Sequence, residues 1–192
     1  MSVAESKRGL RVAWQATLAA LPPRVRTEQG AAVATRLEPW LKQRPGPVAF
    51  FASLPAEIDT TAIDALLCRL GRERALPTIA GDHLVFRRLS PEVALSDLPP
   101  GKFRVRAPAA DAPVVALHEC GAVLVPGMAF DRSGYRLGFG RGFYDRALVG
   151  VARDRTCGVL MDIQRSPDRL PIDVYDVPVG WSCSASDLIH HA

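Results

Sequence analysis

Ala122-Val-Leu-Val-Pro126-Gly127 opens the stretch that decides the fold. It runs on through Met128 to Asp145 and closes with Thr156-Cys-Gly-Val-Leu-Met161. Two short apolar runs flank a glycine-rich turn and a helical segment, and apolar runs bounded by turn residues read as buried strands. The same alternation continues toward the N-terminus. Leu10, Ala13, Trp14, Leu18 and Leu21 recur at helical spacing, which predicts an amphipathic helix over 6–21. Pro22-Pro23 ends it and opens a second helix through Ala31, Val33, Leu37 and Leu41, which Pro39 is expected to kink or stop. Pro47 to Ala52 suits a buried strand. Asp59 and Thr60 are N-cap types ahead of Ile63, Leu66 and Leu70, and Gly71 is a ready stop. Residues 74–79 and 83–89 read as further strands, and 99–113 as the one long surface loop. Alternation of this kind predicts a three-layer α/β fold, a mostly parallel sheet with helices on both faces.

The chain has 192 residues, enough for one domain (1–192) with a core that needs no disulfide or metal staples. Cys68, Cys120, Cys157 and Cys183 form no paired motif and no histidine stands at ligand spacing, which argues against structural zinc. His190 and His191 fall in a tail, 187–192, expected to be frayed. No apolar run follows the early basic residues as a signal peptide requires, and none approaches the ~18 residues of a membrane span. A cytoplasmic protein with no membrane partner is the expectation. The 24 basic and 20 acidic residues leave +4, with 21 arginines against Lys7, Lys42 and Lys102. Arginine is the better planar fork for phosphate and carboxylate, so an anionic ligand is worth seeking. A nucleic-acid partner would rest on that surplus alone, since no basic run with interleaved aromatics is present.

Three features carry chemistry. Gly138, Gly140 and Gly142 alternate within five residues, flanked by Arg136, Arg141 and Arg146. Glycines let backbone N–H groups approach an anion closely, arginines add charge-assisted bonds, and a helix starting near Gly142 would add its dipole. The spacing is neither the dinucleotide fingerprint nor a Walker A loop. The glycines alone fit a helix-packing bend equally well; the arginines favour phosphate. Lys7 falls inside the apolar stripe of the first helix with Arg11 at its edge. Helical geometry by itself favours two side chains snorkelling from the core rim; the functional alternative has both cations reaching a phosphate or carboxylate. Asp145 and Asp176 form a candidate magnesium pair, since Mg²⁺ bound with phosphates takes one or two carboxylates. Their spacing alone does not bring them together and also fits N-cap or surface aspartates.

These residues stand in segments that resemble the 5-formyltetrahydrofolate cyclo-ligase family from Lys7 to about Ser184. The most specific run is Pro126-Gly-Met-Ala-Phe-Asp131 followed by Gly134-Tyr-Arg-Leu-Gly-Phe-Gly-Arg-Gly-Phe-Tyr-Asp-Arg146. Lys7-x-x-Leu-Arg11, Glu57-Ile-Asp-Thr60 and Leu170-Pro through Asp176-Val-Pro178 stand in the family's order. The resemblance implies a sugar-isomerase/CoA-transferase-like fold and an ATP- and Mg²⁺-dependent closure of 5-formyltetrahydrofolate to 5,10-methenyltetrahydrofolate, with ADP and phosphate released. A phosphorylated formyl group, an iminium phosphate, is the implied intermediate.

It further implies catalytic roles for Lys7, Arg11, Arg136 and Arg141. The nucleotide would be held by Lys7 and Arg11 together with Arg136, Leu137, Gly138, Phe139, Gly140, Arg141, Gly142, Phe143 and Tyr144. The reduced folate, in polyglutamylated form or not, would meet Ala52, Glu57, Phe139, Gly140, Gly142 and Phe143, and Asp145 and Asp176 would hold Mg²⁺. A monomer or weak dimer is expected. Four departures from the family pattern, one of them a residue pair, stand in the sequence. Ala107 stands where Glu is frequent, Tyr175 where His is usual, Ser184-Ala185 in place of Thr-Glu, and Phe51 in place of Tyr. None removes a nucleotide or metal group. The alternative they motivate is a non-catalytic relative that binds folate or nucleotide.

Overall fold

The computed structural model describes residues 2–101 and 105–191. Lys102 and part of the expected 99–113 loop lie outside them. Ser2 caps the first helix, α1 (Val3–Ala19), through a reciprocal pair with Glu5 that starts it earlier than periodicity indicates. Helix α2 (Pro23–Lys42) begins on a proline, as the missing N–H allows. Of the two outcomes expected at Pro39, a stop does not occur, and the helix continues through it. Leu37, Trp40 and Leu41 are buried on either side of the proline, and their packing holds the last turn despite the lost bond. Then come β1 (Val48–Ala49), α3 (Thr61–Arg69), β2 (Arg74–Ala80) and β3 (His83–Leu89). Thr60 stands at the N-cap of α3 without a side-chain cap bond, and Asp59, one residue earlier, accepts the Thr61 N–H on its Oδ1 at 2.9 Å.

The second half holds β4 (Ala122–Val125), a small hairpin of β5 (Ala129–Phe130) and β6 (Arg136–Leu137), α4 (Phe143–Ala147), β7 (Thr156–Val159), β8 (Trp181–Cys183) and β9 (Leu188–His190). The main sheet has the order β3-β2-β1-β4-β7-β8-β9. Its five inner strands are parallel, and β3 and β9 close the two edges antiparallel. The alternation of side chains across each strand divides the core. Val48, Phe50, Leu76, Leu124 and Val159 face α2 and α3, whereas Ala49, Ala75, Val123, Val125 and Leu160 face Phe130 and Leu148 on the other side. The fold is thus α/β with helices on both faces.

The C-terminal tail corrects its expectation. Residues 188–190 pair with β8, and the His191 N–H donates to Gly180 O at 2.8 Å. The His190 ring lies 4.4 Å from the Trp181 ring, and the buried His191 ring bonds Arg132 O and Ser182 Oγ. An unpaired β8 edge and a hydrogen-bonding slot order what composition alone reads as frayed.

The hairpin β5–β6 sits on the sheet through Phe130. A Cβ on Gly158 would meet the Phe130 ring at 2.3 Å and one on Gly127 would meet it at 2.8 Å, so two glycines open the seat of one aromatic ring. Gly158→Ala is therefore expected to cost about 1–3 kcal/mol by overpacking. The urea midpoint at constant m reads this loss, and a midpoint equal to that of the parent chain would refute the seat.

Candidate active site

Strands β1, β2 and β4 all end on one side of the sheet, and the backbone beyond them supplies the walls of a cavity of about 310 Å³. Phe51 and Ala52 follow β1, Pro77 and Ile79 belong to the end of β2, and Pro126 follows β4. The order of the strands reverses between β1 and β4, the place where open α/β sheets leave a crevice. The glycine loop forms the opposite wall, with Gly138, Phe139, Arg141, Gly142, Phe143 and Tyr144 all lining it.

Glu57 reaches the same cavity although only 7% of it is exposed. Its carboxylate accepts the Leu54 N–H at 2.7 Å, and burial pushes the carboxyl up to about 7. Tyr144 Oη is buried without a hydrogen-bond partner, and burial, with the Glu57 charge adding to it, pushes its hydroxyl well above the usual tyrosine range. An apolar cavity with a buried carboxyl and an unsatisfied hydroxyl fits a flat ligand carrying a few polar edge groups.

A second cavity, of about 660 Å³, lies across the loop and shares Arg136, Gly138, Gly142 and Asp145 with the first. Its floor is charged. Lys7 turns its ammonium onto Asp176, an ion pair linking α1 to the 173–177 loop, so the cation inside the apolar stripe has a specific partner. Arg11 Nε donates to Gly138 O at 2.8 Å, fixing the glycine loop to α1. Gly140 has φ +93° with the Arg11 guanidinium 3.4 Å from where a Cβ would stand, and Gly142 has φ +63°. Both glycines are thus required by the backbone, whatever the loop binds. The expected helix dipole is slight, because α4 has only five residues.

Arg136 is buried beneath this floor. Nη2 donates to Asp145 Oδ1 and Nη1 to Val177 O, each at 2.7 Å, and the Val177 N–H reaches the same Oδ1 at 3.3 Å. Burial pulls its guanidinium pKa down, with Asp145 opposing. Leu137, next in β6, is buried and is among the residues lining the second cavity. Asp145 and Asp176 thus face one cavity. Each has one oxygen engaged, Asp145 Oδ1 as above and Asp176 Oδ2 by Lys7 and by the Asp173 N–H at 2.6 Å. The other oxygen of each lies outside these bonds. No cluster of three or more ligating side chains exists among the described residues. Two carboxylates with free oxygens fit a hard cation whose remaining ligands come from phosphate and water.

Every residue singled out in the sequence for a site thus lines one or both cavities. Sequence reasoning missed Leu54, Pro77, Ile79 and Leu84, which complete the apolar wall but carry no motif. Of the four departures, Phe51 and Tyr175 line the cavities, whereas Ser184 and Ala185 sit in the turn between β8 and β9.

The family model for the 5-formyltetrahydrofolate cyclo-ligase family matches residues 3–183. The 5-formyltetrahydrofolate cyclo-ligase of Escherichia coli is 31% identical over 83% of this chain and 90% of its own. That of Mus musculus is 26% identical over 93% of each. Among solved structures, the 5,10-methenyltetrahydrofolate synthetase of Aquifex aeolicus superposes with a TM-score of 0.81 at 29% identity, covering 96% of this chain and 92% of that one. The chain belongs to the 5-formyltetrahydrofolate cyclo-ligase family and is an enzyme of the ligase class.

The raised Glu57 pKa has a consequence for stability. In the unfolded chain this carboxyl titrates near ~4.3, so its contribution is complete below that pH and is lost as the pH rises through about 7. Glu57→Gln keeps the acceptor for Leu54 and removes the titration. The variant should match the parent near pH 4 and exceed it by about 3–4 kcal/mol near pH 8, measured by urea denaturation. An equal gap at both pH values would count against a buried, titrating Glu57.

Proposed function

We propose that the chain catalyses the ATP- and Mg²⁺-dependent cyclisation of 5-formyltetrahydrofolate to 5,10-methenyltetrahydrofolate, releasing ADP and phosphate, in the cytoplasm. The observation that carries this reading is the pairing of two cavities of opposite character across one glycine loop. One is apolar with a buried carboxyl; the other is lined by Lys7, Arg11, Asp145 and Asp176. A reaction between a folded-in aromatic substrate and a phosphoryl donor needs two such compartments with a thin wall between them.

The chemistry asks for such a site. A formamide carbonyl is a weak electrophile and its oxygen a poor leaving group. Phosphorylation of the formyl oxygen, with ADP departing, makes that oxygen a good leaving group. N10 of the folate then attacks the formyl carbon and gives up its proton as phosphate leaves, closing the five-membered ring. Such a transfer needs positioning and charge neutralisation more than a nucleophilic side chain. In this reading Lys7, Arg11 and the loop amides of 138–142 hold phosphate oxygens, and Arg136 positions Asp145 from below. Mg²⁺, held by Asp145 and Asp176, would neutralise charge on the phosphates. Glu57, largely protonated below pH 7, and the Tyr144 hydroxyl meet the polar edge of the folate ring system, with Ala52, Phe139 and Phe143 on its faces. The exposed Arg141 at the rim of the folate cavity suits the anionic glutamate tail.

Purified protein with 5-formyltetrahydrofolate and MgATP should form the methenyl product, followed by its absorbance. A folded protein that forms none would sink the assignment. Asp145→Asn keeps an oxygen for Arg136 and Val177 but removes the charge, so turnover should fall about 10²-fold or more, and the loss of the counter-charge to buried Arg136 should lower stability by up to about 3–5 kcal/mol. A large stability loss with normal turnover would make Asp145 structural. Chelation of divalent cations should abolish turnover and added Mg²⁺ restore it.

A further inference from the structure

Strand β2 outruns its neighbour in the sheet. It pairs with β1 at Arg74 and Ala75, while its antiparallel pairing with β3 continues to Ala80 and His83. On the far side, the 113–115 segment covers β3 at Phe86, Arg87 and Arg88. Residues 77–85 therefore project past the sheet as a ribbon of two strands, closed by a turn at Gly81 (φ +64°) and Asp82. Two strands by themselves are marginally stable in water, so the outer end of this ribbon needs a hold. One face of it is the apolar wall of the first cavity. Ile79 and Leu84 are paired directly across the ribbon and point to one side, with Pro77 two residues back on the same side, and all three line that cavity.

Arg146 supplies the hold. It stands in α4, and its backbone N–H donates to Gly142 O at 3.1 Å. Its side chain turns back over the glycine loop, where Nη1 lies 2.9 Å from the place a Cβ of Gly142 would take. The guanidinium carbon is 5.6 Å from the centre of the Phe143 ring. Nη2 donates to Arg141 O at 3.1 Å and to Asp82 O at the tip of the ribbon. Both hydrogens of this nitrogen are thus directed at backbone carbonyls, one on each of two facing walls of the first cavity. A charged donor makes the stronger kind of hydrogen bond.

We propose that Arg146 is a positioning residue for the folate cavity: it latches the tip of the β2–β3 ribbon to the glycine loop and so fixes the spacing of the two walls that enclose the ring system. The inference rests on the reading of the first cavity as the folate site. Arg146 also borders the second cavity, where the ordinary role of a cation would be to hold phosphate. Its commitment to two backbone carbonyls favours the latch. The two roles differ in which ligand suffers when the side chain is removed.

Hydrogen exchange and calorimetry on the full chain test this. In Arg146→Ala the amides of 79–84 should exchange at least about tenfold faster than in the ligand-free parent, while those of β4 and β7 keep their rates. The Kd of 5-formyltetrahydrofolate, measured without nucleotide so that nothing reacts, should rise about 5- to 30-fold, with that of MgADP staying within about twofold. Unchanged exchange at 79–84 would mean that there is no latch, whatever the cavities bind. If MgADP weakens and the folate does not, Arg146 is a phosphate ligand and the inference falls. If the ribbon loosens but the parent binds no 5-formyltetrahydrofolate, the folate reading of the cavity fails and the positioning role with it, while the latch itself stands.

Discussion

The site depends on one buried cation. The Arg136 side chain is 3% exposed, and a guanidinium in that position is tolerable only with its charge compensated and its donors used. Asp145 and Val177 O supply both needs, and in doing so they are drawn to the same point. Asp145 stands in α4 and Val177 just beyond the loop carrying Asp176, so a single side chain of β6 brings two carboxylates 31 positions apart in sequence to one cavity. Removing a partner from such a pair characteristically costs about 3–5 kcal/mol. Position 136 is consequently better described as the element that assembles the floor than as a group waiting for a ligand.

Strand direction explains why this assembly lies where it does. The five inner strands are parallel, so their carboxyl ends share one side, and at the β1/β4 boundary the chain leaves in opposite directions. The crossover from β1 passes through α3 to β2, and the one from β4 passes through the hairpin, the glycine loop and α4 to β7. The crevice between them is filled by no helix. Phe51, Ala52 and Pro126 border it because they are the first residues beyond their strands, and the glycine loop covers it because Phe130, seated on Gly127 and Gly158, anchors the hairpin beneath.

Much of the fold was legible in the sequence because its determinants are local. Strand β3 coincides with residues 83–89, and β4 and β7 with the two apolar runs flanking the glycines. Local patterns failed where tertiary contacts outweigh them. Pro39 lies between buried Leu37 and Trp40, and the packing of those residues overrides the lost hydrogen bond. Residues 188–191 look polar and terminal, yet an open sheet edge orders them. The candidate site divides along the same line. Three alternating glycines and neighbouring arginines are visible in sequence, but the meeting of Asp145 with Asp176 and the burial of Glu57 exist only after folding. The hairpin residues Pro77, Ile79 and Leu84 carry no chemistry that could announce them.

Lys7 shows how two readings of one residue merge. Its side chain is largely withdrawn from solvent, as a position inside the apolar stripe of α1 requires, and its ammonium ends on Asp176 in the cavity. The cavity as a whole is close to balanced, with Lys7, Arg11, Arg136 and Arg146 set against Asp145, Asp173 and Asp176. A bare polyphosphate entering would repel three carboxylates, and a bare divalent cation would displace or repel the cations already paired with them. In the proposed reaction a ligand that brings both together would do neither: its anion would take up Lys7 and Arg11, its cation the carboxylate oxygens, and the charge balance of the floor would change little. The near-neutral pairing within the cavity, rather than the +4 of the whole chain, is thus the feature that supports the proposed metal–nucleotide complex over either component alone.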